Sequence, residues 1–319
     1  MINLMEKYVY QLFILGLENP FDALKKGLGG VIFFTKDIQT QEKLIKDIKT
    51  IKESALIPPF ISIDQEGGRV ERTENIRPKR LSQRFAYQNG KLLQQSEEIA
   101  KELADWGFNL NFSPCIDVNT NPNNPIIGER SFSTMPEEVI EGMNIVVNSM
   151  RKYGVIPCVK HYPGHGDADK DSHLTLPVID LPLEDMKKTH IKPFEYAINN
   201  DIEMIMAAHL YCKCFDTTET PSSLSKNALG YLRNDLNYNG VVISDDMVMK
   251  GVQKYGSLEA CIMGLHAGID MFIFRHSDNE TLDMINKLCN IVENDDILRE
   301  KVLNSYERIS KLKKKYKFN

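Results

Sequence analysis

Ile156-Pro157-Cys158-Val159-Lys160-His161 is a short run of uninterrupted apolar chain that ends in two ionisable side chains. A run without polar alternation is the signature of a strand covered on both faces, because a strand with one wet face alternates. Seven further runs of the same kind flank it: Leu12 to Leu17, Gly30 to Phe34, Pro59 to Asp64, Phe108 to Pro114, Met204 to His209, Gly240 to Asp245 and Asp270 to Phe274. Longer segments with helix signals separate them. Leu92 to Trp106 is amphipathic, and Thr134-Met135-Pro136-Glu137-Glu138 supplies a capping residue, an early proline and first-turn acids for a helix that reaches about Tyr153 and stops at Gly154. Ser225 to Leu236 and Ser257 to Ala267 repeat the pattern, each followed by a turn (Asn239-Gly240, Gly268) into the next apolar run. Eight buried strands joined by helical crossovers predict an α/β fold: a (β/α)8 TIM-type barrel, one domain over residues 1–319, with little helix in its first unit and a basic helical end over about 297–319.

Composition agrees with a globular chain and removes several classes of function. Lysine plus arginine number 39 and aspartate plus glutamate 44, a net charge of −5, so no broadly basic surface for nucleic acid is expected. No segment approaches the ~20 apolar residues of a membrane span. Tyr8 to Leu17 is apolar, yet it contains Gln11 and runs into Glu18-Asn19-Pro20 without a small-residue cleavage site, so it reads as a buried strand rather than a secretion signal. The six cysteines are dispersed and contain no CxxC pair, which fits free thiols and a cytoplasmic location. The run Lys311 to Lys317 carries five lysines and reads as a solvated helix end favoured by the helix dipole.

Active sites of such barrels lie at the C-terminal ends of the strands. Here those ends are repeatedly polar: Asp64-Gln65-Glu66-Gly67-Gly68-Arg69 after the third strand, Cys115-Ile116-Asp117 and a loop reaching Gly128-Glu129-Arg130 after the fourth, Lys160-His161 on the fifth, His209 on the sixth, and Ser244-Asp245-Asp246 on the seventh. Charged groups butted against buried strands need partners, and five such ends converging on one rim point to a site rather than to a structural ion network. The densest chemistry is the loop His161 to His173, with three histidines and three aspartates in thirteen residues. Within it Asp171-Ser172-His173 sets a carboxylate two residues from an imidazole, where it can orient and charge a general acid/base. The same cluster is also compatible with a metal site or with a solvated loop.

Asp64-Gln65-Glu66-Gly67-Gly68-Arg69-Val70-Glu71-Arg72, Gly128-Glu129-Arg130-Ser131-Phe132, Lys160-His161-Tyr162-Pro163-Gly164-His165-Gly166-Asp167, Asp171-Ser172-His173 and Ser244-Asp245-Asp246-Met247 together resemble family 3 glycoside hydrolases, and among them the bacterial β-N-acetylglucosaminidases of peptidoglycan recycling. The resemblance runs from about Gly29 to Phe274. It implies that Asp245 is the catalytic nucleophile, that His173 with Asp171 is the acid/base dyad, and that Asp64, Arg72, Arg130, Lys160 and His161 hold sugar hydroxyls. Strand alternation leaves Asp245 and Asp246 equivalent; only the resemblance selects Asp245. The chain ends soon after the last strand, as in single-domain members, with no counterpart to the second-domain glutamate acid of other members. Tyr162 stands where phenylalanine is usual, and Met247-Val248 where leucine and a polar residue are usual; neither change removes a functional group.

The implied reaction is retaining hydrolysis of terminal β-linked N-acetylglucosaminides, peptidoglycan fragments among them, with a carbohydrate as the partner and with no metal or organic cofactor. A phosphate-dependent phosphorylase on the same residues is the alternative. A metal-dependent hydrolase and a non-catalytic sugar-binding barrel are less favoured.

Overall fold

The computed structural model describes residues 4–168 and 176–318. Eight parallel strands close a barrel: β1 (Phe13–Leu15), β2 (Gly30–Phe33), β3 (Phe60–Ile63), β4 (Leu110–Asn111), β5 (Ile156–Tyr162), β7 (Met204–Ala207), β9 (Val241–Asp246) and β10 (Met271–Phe274), in the order β1-β10-β9-β7-β5-β4-β3-β2. Two short strands, β6 (Val178–Ile179) and β8 (Tyr211–Cys212), pair in parallel outside it. The expected (β/α)8 barrel is thus the observed one, and all eight expected runs contain a barrel strand.

Why these residues form strands is visible in their burial. The β2, β3, β5 and β7 side chains are buried throughout, as required of a sheet with a packed interior and a helical jacket. Pairings such as Val31↔Ile61, Phe33↔Ile63 and Met206↔Ile243 bring branched and long apolar side chains into register. Phe13, Phe272 and Phe274 pack with ring centroids 5.7 and 6.1 Å apart. Each such ring withdrawn from water stabilises the fold by about 1.5–3 kcal/mol.

The helices follow their local signals. Leu92–Trp106 ends at Gly107, whose φ of +99° makes the left-handed turn that glycine adopts without strain. Pro136–Lys152 begins with proline and two acids, as its sequence predicts. Six of the eight strands are shorter than their apolar runs, because residues such as Asp64 and His209 leave the ladder to build the rim, whereas β5 and β9 each extend one residue past theirs.

Two expectations need correction at the opposite end of the barrel. Tyr8 to Leu17 is not one strand: Leu4–Tyr10 is a helix, and only Phe13–Leu15 joins the sheet. That helix packs against Asn279–Asn294 and Asp296–Lys315, with the Tyr8 and Tyr306 rings 4.2 Å apart. The lysine run is not wholly solvated either. Lys313 is buried, and its ammonium donates to Gln11 Oε1 (2.8 Å), Gly29 O (3.2 Å) and Pro58 O (2.8 Å) at the starts of the first three strands.

Candidate active site

A cleft of about 370 Å³ opens at the C-terminal ends of the strands, within the size range of ligand sites. Asp64, Arg72, Arg130, Lys160, His161 and Asp245 all line it. Asp171 and His173 lie outside the described residues.

The first contribution comes from the turn after β3. Gly67 and Gly68 have φ of +99° and +62°, and a Cβ on Gly67 would sit 2.3 Å from Leu81 O. The Gly-Gly pair therefore permits the chain to double back, and Gln65 then ties the turn together. Its side chain donates to Glu71 Oε1 (2.7 Å) and accepts from the Arg72 N–H (2.9 Å). Arg72 is left with its guanidinium over the Phe34 ring, 4.0 Å from Asp64, and with its buried Nε unpartnered.

Beneath the cleft lies a buried charge network. Lys160 Nζ sits 2.7 Å from Asp64 Oδ1 and 2.6 Å from Glu66 Oε1. Glu66 is also gripped on both oxygens by Arg130, through Nε at 3.0 Å and Nη2 at 2.9 Å. Burial opposes ionisation of Glu66, but Arg130 and Lys160 outweigh it and hold the carboxyl well below its usual range. Burial likewise opposes the charge of Lys160, and Asp64 and Glu66 reverse that, raising its pKa.

A second arm fixes His161. Arg130 Nη2 can only donate, so the His161 Nε2 facing it at 3.3 Å is the acceptor. The proton then resides on Nδ1, which donates to Asp117 Oδ2 at 2.7 Å. Asp117 is fully buried and also accepts from the backbone N–H groups of His161 and His165 and from the Cys115 thiol. Cys115, Asp117 and His161 are the one group among the described residues close enough to share a metal ion. Burial, reinforced by Asp117, pushes the Cys115 thiol pKa well up, so the sulfur keeps its proton. The carboxylate is satisfied by hydrogen bonds, and the arrangement suits orientation of His161 better than metal binding.

The two aspartates on β9 keep different company. Asp246 is paired with Arg275 and accepts from the Val248 N–H (3.2 Å). Asp245 accepts from the Asp246 N–H (2.7 Å) and, among the described residues, has no cation within ion-pair distance. Burial opposes its ionisation, yet the neighbouring His161 and His209 side chains, the Asp246 N–H and Lys160 hold its carboxyl below the ordinary value. The result is an ionised carboxylate facing the cleft without a neutralising partner among the described residues.

Sequence reasoning left Glu66, Asp117, His165 and Arg275 without roles. Glu66 had a usable signal, since residues i and i+2 of extended chain share a face and Asp64 was already selected. Asp117 and His165 were visible only as polar residues in strand-end loops. Arg275 had only its place after the last strand.

The chain is similar to several known proteins. It is 30% identical to "Beta-hexosaminidase A" of Pseudoalteromonas piscicida over 90% of this chain and 53% of that protein. It is 30% identical to "Beta-hexosaminidase" of Actinobacillus pleuropneumoniae over 90% of this chain and 84% of that one. A glycoside hydrolase family 3 β-N-acetylglucosaminidase from Paenibacillus sp. superposes with a TM-score of 0.92 at 30% identity, over 100% of this chain and 63% of its own. The chain thus spans about half to five-sixths of the curated relatives it matches. Residues 7–312 match the pattern described as "Glycosyl hydrolase family 3 N terminal domain", and the chain belongs to that family.

Proposed function

We propose that the protein is a retaining β-N-acetylhexosaminidase that removes terminal β-linked N-acetylglucosamine, with peptidoglycan fragments in the cytoplasm as its natural substrates. The observation that carries this reading is Asp245: an ionised carboxylate, lacking a cation partner among the described residues, in a cleft lined by hydrogen-bond donors. Its neighbour Asp246 is already neutralised by Arg275, which favours Asp245 as the nucleophile. The names of the related proteins support the activity and the sugar.

In the first step the Asp245 carboxylate forms a bond to the anomeric carbon as the bond to the leaving oxygen breaks. His173, as an imidazolium oriented by Asp171, gives its proton to that oxygen. In the second step water attacks the same carbon, His173 takes the water's proton, and the Asp245 carboxylate departs. Asp64, Arg72, Arg130, Lys160 and His161 hold the hydroxyls. Lys160 spends two of its three donors on Asp64 and Glu66, and Arg130 spends two on Glu66 and one on His161, which presets the remaining hydrogens for the ring.

The excess of cations among the described residues lining the cleft supports a second reading. Arg69, Arg72, Arg130, Lys160 and Arg275 face Asp64, Asp245 and Asp246, an environment that tolerates phosphate as an acceptor in place of water.

The deciding experiment is release of nitrophenol from the aryl β-N-acetylglucosaminide by wild type and Asp245→Asn, with chelator and without phosphate. Wild-type turnover with a loss of at least ~10³-fold in the variant is expected. Retained activity in Asp245→Asn removes the nucleophile assignment, and a sugar 1-phosphate formed only with added phosphate establishes the phosphorylase. Loss of turnover on chelation would point to a metal, and sugar binding without turnover to a non-catalytic barrel.

A further inference from the structure

His165 sits three residues beyond β5, is 3% exposed and lines the cleft. Its backbone is held on several sides. The N–H donates to Asp117 Oδ1 (2.6 Å), and the carbonyl accepts from Asn124 Nδ2 (2.8 Å). The next residue is Gly166, where a Cβ would lie 1.7 Å from Val118 O. The ring packs edge-on to His161, with centroids 6.0 Å apart. Both of its ring nitrogens are buried and, among the described residues, make no hydrogen bond. Around it Glu66, Asp117, Lys160 and His161 are all bonded, so among the described residues of the cleft floor this imidazole stands out as a side chain with every polar atom unsatisfied.

Burial lowers the His165 pKa to about 4; Asp117 opposes this, while His161 and Arg130 add to it. At neutral pH the ring is therefore uncharged, with one N–H donor and one acceptor nitrogen. The other cleft groups are one-sided or already engaged. Arginine and lysine only donate, carboxylates only accept, and both ring nitrogens of His161 are bonded to Arg130 and Asp117. A neutral imidazole suits a ligand group that does both, either an acetamido group or a hydroxyl.

Resting on the hexosaminidase reading, we propose that His165 is a substrate-binding residue whose free ring nitrogens hold a neutral donor–acceptor group of the sugar, the C2 acetamido or a ring hydroxyl. The test compares wild type with His165→Phe, which keeps a ring and removes both nitrogens, and His165→Asn, which returns a donor and an acceptor. Each is assayed on nitrophenyl β-N-acetylglucosaminide, β-glucoside and 2-deoxy-β-glucoside, with melting temperature measured alongside. The phenylalanine variant should lose at least about tenfold in kcat/KM on the N-acetylglucosaminide, and asparagine should recover part of it. A loss that disappears on the 2-deoxy sugar identifies the C2 group; an equal loss on all three identifies a hydroxyl at another carbon. Unchanged kcat/KM on all three overturns the proposal, as does a loss that asparagine does not reduce. His165→Ala replaces the phenylalanine variant where that variant does not fold.

Should wild type hydrolyse none of the glycosides, the hexosaminidase reading fails and calorimetric binding of N-acetylglucosamine still tests His165. Affinity at least tenfold weaker in the variant supports it, and equal affinity overturns it. Absence of binding by wild type overturns both.

Discussion

Two lysines lie buried at opposite ends of the same barrel, and the groups around them differ in kind. Lys160, at the rim, is 1% exposed and sits between the carboxylates of Asp64 and Glu66. Lys313, at the floor, is 7% exposed and, among the described residues, meets only the neutral oxygens of Gln11, Gly29 and Pro58, with its ammonium 4.9 Å from the Phe60 ring centroid and 5.9 Å from that of Phe318. Charged partners keep the first ammonium ionised and raise its pKa. Dipolar partners do not offset burial for the second, and its pKa falls to about 7. At the rim, buried charge belongs to a network that lines the cleft. At the floor, one cation tethers the C-terminal helix to the starts of three strands.

The contrast breaks most readily at Lys160. Lys160→Met leaves Asp64 and Glu66 close together without their shared ammonium. We expect kcat/KM to fall by about 10³-fold and stability by about 3–5 kcal/mol, read from aryl glycoside kinetics and urea unfolding. Turnover within tenfold of wild type would show that the rim cation serves only the fold. Next in size is Asp117→Asn, which weakens the hold on the His161 Nδ1–H tautomer. A decrease of about 10²-fold in kcat/KM is expected, and a kcat/KM unchanged across pH 5–8 would remove Asp117 from the positioning network.

Lys313→Met sharpens the comparison from the other side. Activity should stay within about twofold, while three oxygens lose their donor and stability drops by about 1–3 kcal/mol. Its pH dependence has a definite sign. Between about pH 7 and the ordinary lysine value near 10.4, the unfolded chain keeps the proton that the folded protein releases, so wild-type stability rises with pH relative to the variant. A wild-type advantage that shrinks across that window contradicts a depressed Lys313. The smallest effect is expected at Lys315, whose 53% exposed side chain pairs with Glu203. Lys315→Ala should cost no more than about 1 kcal/mol by thermal unfolding, because solvent screens the pair and Arg151 still holds Glu203.

Much of the barrel was legible in the chain. Leu92–Trp106 and Ser257–Ala267 were read to the residue, because an amphipathic stripe and a terminal glycine are local properties. The strands were found through their continuous apolar character, and the lining of the cleft through the polar residues that end them. The reading failed where apolar character alone had to choose a conformation: Tyr8, Val9 and Tyr10 are as apolar as a strand but lie on a helix packed against other helices. It also failed at Lys313, which looks like its exposed neighbours until the floor of the barrel closes around it.

Asp245 and Asp246 mark the boundary between the two kinds of information. Their order along the strand says that one faces differently from the other, and the family resemblance selects Asp245. Only the approach of Arg275, 29 positions away, distinguishes their electrostatic surroundings. Helix stripes, caps, turns and buried strands arise from residues within a few positions of one another, so the sequence by itself determined the (β/α)8 barrel and the end of it that gathers the polar residues of the cleft. The pairing of Lys160 with Asp64 across 96 positions, of His161 with Asp117 across 44, and of Lys313 with Gln11 across 302 was decided only by the tertiary structure. Burial and Coulombic interaction act through space, and closing the barrel is what brings those groups within reach of one another.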